Sequence, residues 1–500
     1  MTTSNLVERF MNLSATRSAA LAVIDDHEQV TFATLGERAR RVASRLQSEG
    51  LAGERVALLC SQGSRWLEGF FGIVLAGGTA VPLSHLHPQP EQRWFVEVSR
   101  ARAIVATREF SEHARTLGGC AVHQVEQLRE GHARSLPVPE GNAPGLILYT
   151  SGTTGKPKGA LISHENLDSL ARLVAAAWQW RPDDVLLHSL PLHHLHGLGI
   201  ALMVSLLSGS TTRVRERFVA QQLWDDMAQA SVLMGVPTMH KRLLEAFDGA
   251  ASRDRARWER NAARLRLITS GSAALPTTVG ERWQTLTGSY PLERFGMTEI
   301  GVGTSNPVAG PRLPGTCGPV LPGMEVRIVG DGGRDAAPGE SGEIWIRGPS
   351  VFSGYDDNES ATREAFADGW FRSGDTATWV SGNYLKILGR TSVDILKSGG
   401  YKLSALEIEE ALREHPAIAD VAVVGVPDET WGEVAVAAVL LEPGFTLSED
   451  EVRAWAKERI ASYKVPKRVI VFDELPRNPV GKVVKPELAR WLRAAGVGRP

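Results

Sequence analysis

The chain has 500 residues, 43% hydrophobic and 22% charged, which is the balance of a globular protein too long for one core of usual size. Its net charge of −2 excludes a general attraction for nucleic acid or for an anionic membrane, so any anionic ligand must be held by local groups. Three widely spaced cysteines argue against a disulfide framework or a structural zinc site.

The N-terminus shows the pattern of neither a signal peptide nor a transit peptide. The longest apolar stretch, residues 70–83, contains three glycines and a proline and is too short to span a bilayer. We therefore predict a cytoplasmic protein with no membrane insertion and no nucleic-acid partner.

Hydrophobic periodicity over the first 110 residues predicts strands that alternate with helices. The predicted strands are 53–59, 79–82 and 103–106, and the predicted helices are 37–47, 64–76 and 90–99. This β-α-β-α order is typical of parallel sheets that are covered by helices. Further along, Ser163 is a suitable N-cap for a helix with apolar residues at helical spacing.

The composition and the hydrophobic pattern of the sequence change after residue 320. Turn residues at 330–339 separate two alternating segments, 324–329 and 343–347, which predicts a small antiparallel subdomain. Past residue 390, capping boxes at Ser404 and Ser448 and strands at 421–426 and 434–440 indicate a compact α+β unit. The predicted fold is therefore α/β, with a large domain at 1–389 and a small domain at 390–500.

The segment Tyr149-Thr-Ser-Gly-Thr-Thr-Gly-Lys-Pro-Lys-Gly159 follows a predicted strand and combines glycines, hydroxyls and lysines. Glycines let backbone N–H groups approach phosphate oxygens, and lysine adds a mobile positive charge. The spacing is not that of a Walker loop, because Gly152 and Gly155 are too close and Pro157 follows Lys156. The composition predicts a polyphosphate site outside the ordinary P-loop class.

This segment resembles the phosphate-binding signature of the adenylate-forming enzymes, the superfamily of acyl-CoA synthetases, carrier-protein adenylation domains and luciferases. Six further segments, which continue to the C-terminus, resemble other motifs of the superfamily. The resemblance implies that ATP phosphates contact Thr150, Ser151, Gly152, Thr153, Thr154, Gly155 and Lys156.

The same resemblance assigns the nucleoside and the metal. The motif Arg294-Phe-Gly-Met-Thr-Glu299 implies an α-phosphate contact at Thr298 and Mg²⁺ on Glu299. The implied adenine and ribose contacts are Gly271, Ser272, Ala273, Phe295, Gly296, Asp375 and Arg390. A carboxylate beside a guanidinium is well suited to two vicinal hydroxyls.

The C-terminal motifs resemble those that serve the two half-reactions of the superfamily. Lys482 is implied as the catalytic lysine of adenylation, and the thiolation loop that receives coenzyme A is implied at Lys397, Gly399, Gly400 and Tyr401. The small domain is expected to be mobile and to turn between the steps, about a hinge between Ser392 and Asp394. The implied cofactors and co-substrates are ATP, Mg²⁺ and coenzyme A.

Several stretches together, among them residues 293–301 and 389–402, resemble the malonyl-CoA synthetases that act on malonate or methylmalonate. The second carboxylate of malonate needs a partner in the pocket. The resemblance places this partner at Arg282, with Ser305 as a helper and His194 lining the acyl pocket. The alternative, that Arg282 lies on the solvent face of the helix after Pro276, stays open.

The function predicted is an ATP-dependent, AMP-forming acyl-CoA ligase for malonate or methylmalonate. The alternatives are a medium- or long-chain fatty acyl-CoA ligase and an adenylation enzyme that loads a carrier protein as the acceptor. A nucleotide-binding protein without catalysis is disfavoured by the presence of Glu299, Asp375, Arg390 and Lys482.

Overall fold

The computed structural model describes residues 5–134, 136–150, 157–337, 339–398, 401–428, 430–477 and 483–495. Its strands in chain order are β1 (Leu21–Ile24), β2 (Gln29–Thr31), β3 (Arg55–Leu59), β4 (Thr79–Pro82), β5 (Ala103–Ala106), β6 (Ala121–Gln124), β7 (Pro144–Thr150), β8 (Lys158–Ser163), β9 (Val185–His188), β10 (Thr211–Val214), β11 (Val232–Gly235), β12 (Leu267–Ser270), β13 (Leu292–Met297), β14 (Gly301–Ser305), β15 (Glu325–Val329), β16 (Ser341–Arg347), β17 (Gly354–Tyr355), β18 (Phe366–Ala367), β19 (Trp370–Val380), β20 (Tyr384–Arg390), β21 (Ile395–Ser398), β22 (Tyr401–Ser404), β23 (Ile418–Asp428), β24 (Gly432–Leu441) and β25 (Arg468–Val471).

Its α-helices in chain order are α1 (Leu6–Thr16), α2 (Phe32–Ser48), α3 (Ser64–Leu75), α4 (Gln89–Val98), α5 (Ser111–Arg115), α6 (Val125–Leu128), α7 (His164–Ala177), α8 (Val204–Leu207), α9 (Ala220–Asp226), α10 (Pro237–Asp248), α11 (Ser252–Ala262), α12 (Thr277–Thr287), α13 (Glu359–Ala365), α14 (Ala405–Arg413), α15 (Glu449–Lys457) and α16 (Lys485–Ala494). A π-helical segment, His196–Met203, precedes α8.

The chain divides into two compact units. The first comprises residues 1–326 and 346–371, and the second comprises residues 327–345 and 372–500. The second unit is therefore larger than the predicted domain at 390–500, because residues 327–345 and 372–389 belong to it.

An eight-stranded sheet of the first unit has the order β14-β13-β12-β11-β9-β10-β1-β2. Its interior pairs, from β13 to β1, are parallel, whereas β14 and β2 pair antiparallel at the two edges. In parallel sheets the carboxyl ends of neighbouring strands meet at one edge, where ligands bind. His188 and Ser270 are the last residues of β9 and β12 and lie at that edge.

A seven-stranded sheet of the same unit has the order β17-β8-β7-β4-β3-β5-β6. The predicted parallel arrangement holds from β7 to β6, but β7 and β8 form an antiparallel pair. Helices α2 and α3 pack closely beside it: a Cβ on Gly72 would approach Cγ1 of Val42 to 2.2 Å, so only glycine fits there.

The second unit contains a sheet of order β22-β21-β24-β23, with β25 parallel to β24. Alternating residues of β23 and β24 face two apolar clusters. One cluster contains residues of α14 and α15, and the other contains Leu488 and Leu492 of α16. This sandwich is the predicted α+β unit. The two segments of the predicted antiparallel subdomain, 324–329 and 343–347, correspond to β15 and β16, which are neighbours in a sheet of order β15-β16-β19-β18.

Local signals mark several element boundaries as predicted. Ser163 is the N-cap of α7 and forms a reciprocal capping box with Asn166, and Ser448 caps α15 in the same way with Glu451. Ser404 caps α14 by accepting a hydrogen bond from the Glu407 backbone. No helix in the described part of the chain has both the length and the apolar character needed to cross a bilayer.

Candidate adenylate-forming site

The predicted phosphate loop begins and ends on an antiparallel pair of strands in the first unit. Thr150, the last residue of β7, lies opposite Lys158, the first residue of β8. Ser151, Gly152, Thr153, Thr154, Gly155 and Lys156 lie outside the described residues. The two described ends of the loop are therefore fixed beside each other by the ladder between β7 and β8.

Glu299 lies in the turn between β13 and β14, and its carboxyl side chain is buried. The hydroxyl of Tyr355 donates a hydrogen bond of 3.1 Å to its Oε1 atom, and the hydroxyl of Thr150 lies 3.4 Å from the same atom. The structure thus places Glu299 beside the start of the predicted phosphate loop. Thr298, the neighbouring residue, is half-buried.

Arg294 of β13 is a buried cation, with 5% of its surface exposed. Its Nε and Nη2 atoms have no hydrogen-bond partner in the described part of the chain, and burial lowers its pKa to about 10. A buried cation whose donors are unpaired is costly, and an anion bound there would remove that cost. The side chain is therefore a candidate anion site.

Two of the predicted nucleoside-binding glycines make room for this guanidinium. A Cβ on Gly271 would approach the Nε atom of Arg294 to 2.6 Å, and a Cβ on Gly296 would approach its Nη1 atom to 3.0 Å. A Cβ on Gly296 would also lie only 2.1 Å from the backbone carbonyl oxygen of Gly301. Gly296 therefore excludes a side chain, whereas a side chain at Gly271 would require the guanidinium of Arg294 to move.

One buried histidine, His196, lies close enough to Arg294 to be affected by its charge, and a second, His188, lies close to His196. His196 approaches the hydroxyl of Ser272 with its Nδ1 atom at 3.1 Å, and desolvation, together with the charge of Arg294, lowers its pKa well below the usual value. Burial lowers the pKa of His188 to about 4, and neither of its ring nitrogens has a partner in the described residues. Near neutral pH this region therefore holds one cation among neutral imidazoles.

Arg282, the predicted partner of the second malonate carboxylate, lies on an exposed part of a helix. It lies on α12 with 49% of its side chain exposed, and its Nη2 atom forms an ion pair of 2.7 Å with Asp248. The face of α12 that packs inward carries Gly280 and Trp283 instead. The assignment of the pocket cation to Arg282 is therefore corrected, because Arg282 is half-exposed and already paired with Asp248.

The hydroxyl of Ser305 already has two hydrogen-bond partners within the protein, whereas a substrate ligand is expected to be available for binding. Its buried hydroxyl donates to the Asn306 carbonyl at 2.9 Å and accepts a hydrogen bond of 2.9 Å from the Trp178 indole. These two bonds give the hydroxyl a structural role, which corrects the prediction of a helper. His194 is exposed, with its ring centroid 4.2 Å from that of His193, and its place in the acyl pocket stays a prediction.

The other residues predicted to contact adenine lie in the turn after β12 or on β13. Ser272 and Ala273 are exposed in the turn after Ser270, and Ser272 has a positive φ of 71°. Phe295 is buried to 9% exposure. Their contacts with adenine stay predictions.

In the second unit, the structure joins the two predicted ribose ligands. Asp375 of β19 pairs with Arg390 of β20 in the ladder, and the Arg390 Nε atom lies 3.1 Å from the Asp375 carboxylate. The Nη1 atom of Arg390 donates to the Ser373 carbonyl at 2.8 Å, which orients the guanidinium. Asp375 is 7% exposed, so its ion pair with Arg390 is largely shielded from solvent.

The predicted thiolation loop is only partly described. Lys397 is exposed on β21, where its backbone N–H donates to Glu433 at 2.9 Å, and Tyr401 pairs with Ser398 in the ladder between β21 and β22. Gly399, Gly400 and Lys482 lie outside the described residues. Within the described part of the chain, no group of three His, Cys, Asp or Glu side chains is arranged to hold a metal ion.

Comparison with known proteins identifies the family. Residues 11–356 match the model of the AMP-binding enzymes, and residues 407–482 match that of the AMP-binding enzyme C-terminal domain.

Among similar proteins is the mitochondrial malonate–CoA ligase ACSF3 of Mus musculus, 40% identical over 95% of this chain and 89% of its own. A malonate–CoA ligase of Arabidopsis thaliana is 36% identical over 88% of this chain and 78% of its own. The crystal structure of ATP-bound MatB from Rhodopseudomonas palustris superposes with a TM-score of 0.90 at 33% identity, over 99% of this chain and 100% of that one. The chain therefore belongs to the family of AMP-binding enzymes, as an AMP-forming acyl-CoA ligase.

Proposed function

We propose that this enzyme activates malonate with ATP and transfers the malonyl group to coenzyme A. The observation that carries the proposal is the buried guanidinium of Arg294, whose Nε and Nη2 atoms have no partner among the described residues. One carboxylate of malonate reacts, and the other stays anionic and must be paired wherever it is buried. The names of the malonate–CoA ligases to which the chain is similar support the same substrate.

The proposed reaction has two balanced steps. In the first, an oxygen of one malonate carboxylate bonds to the α-phosphorus of ATP, and pyrophosphate leaves as the bond between the α-phosphorus and the oxygen that bridges it to the β-phosphate breaks. In the second, the sulfur of coenzyme A bonds to the activated carbonyl, AMP leaves, and the thiol proton is released to solvent or to a base. Lys482 is the predicted catalytic residue of the first step, where a cation offsets the charge on the reacting oxygens.

Glu299 fits the role of a Mg²⁺ ligand. Mg²⁺ is usually bound through one or two carboxylates together with substrate phosphates, and a buried carboxylate beside the phosphate loop supplies such an oxygen. When it is bound, the ion offsets the negative charge of the ATP phosphates. Tyr355 and Thr150 surround Oε1 of Glu299 with hydroxyls, which orient the carboxylate.

Arg294 also explains why the enzyme would prefer malonate over the alternative acids. A medium- or long-chain fatty acid would place an alkyl chain against a buried cation and leave its donors unpaired, which costs several kcal/mol. Methylmalonate keeps the second carboxylate and is included in the proposal as a further substrate. A carrier-protein thiol is the alternative acceptor, and it differs from coenzyme A only in the second step.

The test is pyrophosphate release by the purified enzyme with malonate, methylmalonate, succinate, acetate or octanoate as the acid. We expect kcat/KM to be highest for malonate or methylmalonate and at least about a hundredfold lower for octanoate. Thioester formation is then measured with free coenzyme A and with a phosphopantetheinyl carrier protein. Faster turnover with octanoate would contradict the proposed acid, and transfer to the carrier protein alone would contradict the proposed acceptor.

A further inference from the structure

A buried ammonium occupies the centre of the second unit, three residues after Lys482. Lys485 is the first residue of α16, and its side chain is 11% exposed. Its Nζ atom lies 2.7 Å from Oε1 of Glu409 and also forms an ion pair with Oδ1 of Asp394. Burial alone would lower the pKa of Lys485, but the two carboxylates more than reverse this effect and hold it above its usual value.

Asp394 connects this ammonium to the turn that carries the predicted ribose ligand Arg390. Its Oδ2 atom accepts a hydrogen bond of 2.9 Å from the Arg390 backbone N–H, and its own N–H donates to the Arg390 carbonyl at 2.8 Å. Its carbonyl accepts a third bond, of 2.8 Å, from Ala405. A Cβ on Gly389 would approach the Cβ of Asp394 to 2.3 Å, so glycine is needed for this turn to close.

Glu409 connects the ammonium to the core of the unit. It lies on the buried side of α14 and is 5% exposed. Its Oε1 atom also accepts a hydrogen bond of 2.7 Å from the Val423 backbone in β23. The carboxylate is therefore fixed to helix α14, which carries it, and to the backbone of strand β23.

The described residues on either side of Lys482 are bonded to each other just before Lys485. The Val484 N–H donates to the Pro476 carbonyl at 2.7 Å, and Arg477 forms a β-bridge with Val483. Residues 477 and 483 thus flank Lys482 on two chain segments that are bonded to each other. Lys485 follows this bonded pair of segments directly in the chain.

We propose that Asp394, Lys485 and Glu409 are positioning residues that fix the base of the Lys482 segment to the turn of Arg390. This inference rests on the proposed function, because it gives Lys482 a role in adenylation and none in the attack of the thiol. Loss of the triad therefore slows adenylation much more than thioester formation. A triad that served only stability would affect both steps alike.

The test compares the two half-reactions in Asp394→Asn and Lys485→Met. Adenylation is followed by pyrophosphate release, and thioester formation is followed with synthetic malonyl-adenylate and coenzyme A. We expect the adenylation kcat to fall roughly 10- to 100-fold, as for a catalytic group displaced by about 1 Å, with thioester formation changed less than about threefold. The KM values for ATP and malonate should also change by less than about threefold.

Lys464→Gln is the matched control, because it removes another ion pair of α14, between Lys464 and Glu407 at 2.6 Å. This control should leave the ratio of the two half-reactions at the wild-type value. If Lys485→Met fails to fold, Asp394→Asn still tests the inference, since an amide keeps the acceptor for Arg390. An equal loss in both half-reactions, or no loss in adenylation, would overturn the inference, whereas a wild-type enzyme inactive on malonate would overturn the proposed function.

Discussion

The hydroxyl of Tyr355 donates a hydrogen bond of 3.1 Å to the Oε1 atom of the buried carboxylate of Glu299. Strand β17, which carries Tyr355, pairs antiparallel with β8, the strand that follows the phosphate loop. The ring of Tyr355 also lies beneath the ammonium of Lys158, which is 5.2 Å from the ring centroid. One side chain therefore connects the predicted Mg²⁺ ligand to the last lysine of the loop.

Tyr355→Phe removes this hydrogen bond and keeps the ring in place. A hydrogen bond to a charged group is worth roughly 1.5–3 kcal/mol, so we expect kcat/KM for MgATP in adenylation to fall about tenfold or more. The Mg²⁺ concentration for half-maximal pyrophosphate release should rise, and calorimetry should show weaker binding of MgATP. Tyr463→Phe, a change at an exposed tyrosine, serves as the control. An unchanged Mg²⁺ requirement in Tyr355→Phe would mean that Glu299 is positioned without the phenol.

Arg294→Leu tests the proposed anion site. We expect kcat/KM for malonate to fall about a hundredfold or more, because breaking a buried charge pair costs about 3–5 kcal/mol. The substrate-free protein should lose no stability and should melt at a higher temperature, since the variant removes a buried cation with unpaired donors.

Arg282→Ala is the matched control for Arg294→Leu. Arg282 is half-exposed in an ion pair with Asp248, and exposed pairs contribute little to stability. We expect its kcat/KM for malonate to stay within about threefold of the wild-type value. A large loss in Arg282→Ala, with activity retained in Arg294→Leu, would restore the original assignment of the pocket cation.

The difference between these two arginines shows what the sequence can predict. Strands and helices of the first 110 residues were predictable because hydrophobic periodicity is a local property of the sequence. Glu299, Asp375 and Arg390 were named as candidate site residues because they lie in segments that resemble the family's motifs. Whether an arginine is buried depends on packing between distant segments, such as Gly271 of the turn after β12 against the guanidinium from β13.

Two other features were beyond the reach of local patterns. The antiparallel return of β8 beside β7 was missed because strand direction depends on partners that periodicity does not identify. Lys485 could not be distinguished from other basic residues, since its partners Asp394 and Glu409 are 91 and 76 residues away along the chain. The hinge, predicted between Ser392 and Asp394, stays a prediction.

Asp375→Ala tests the ribose site through ATP analogues. The Asp375 carboxylate, held by Arg390 at 3.1 Å, is suited to accept hydrogen bonds from both ribose hydroxyls. For the wild-type enzyme we expect kcat/KM to fall about tenfold with 2′-deoxy-ATP and with 3′-deoxy-ATP. The variant should use ATP and both analogues almost equally. Undiminished discrimination in Asp375→Ala would place the ribose elsewhere.

Buried histidines predict a loss of stability in mild acid. Burial lowers the pKa of His164, His188 and His240 to about 4 each, whereas an unfolded histidine titrates near 6.5. Between these values the unfolded chain binds protons that the folded protein does not, so the free energy of unfolding falls as the pH is lowered. The stabilisation is complete above about pH 6.5 and decreases by up to about 1.4 kcal/mol per histidine for each pH unit below it.

His164→Leu isolates one of these histidines. His164 begins α7, and neither ring nitrogen has a hydrogen-bond partner in the described residues, so leucine can replace it as an apolar side chain of similar size. Thermal unfolding at about pH 7.5 and about pH 5.5 should show a smaller decrease in Tm for the variant than for the wild type. Proton uptake on unfolding at the lower pH should fall by about one. If the decrease in Tm and the proton uptake both matched the wild type, His164 would have to be protonated in the folded protein, which would require an acceptor for its ring within the core.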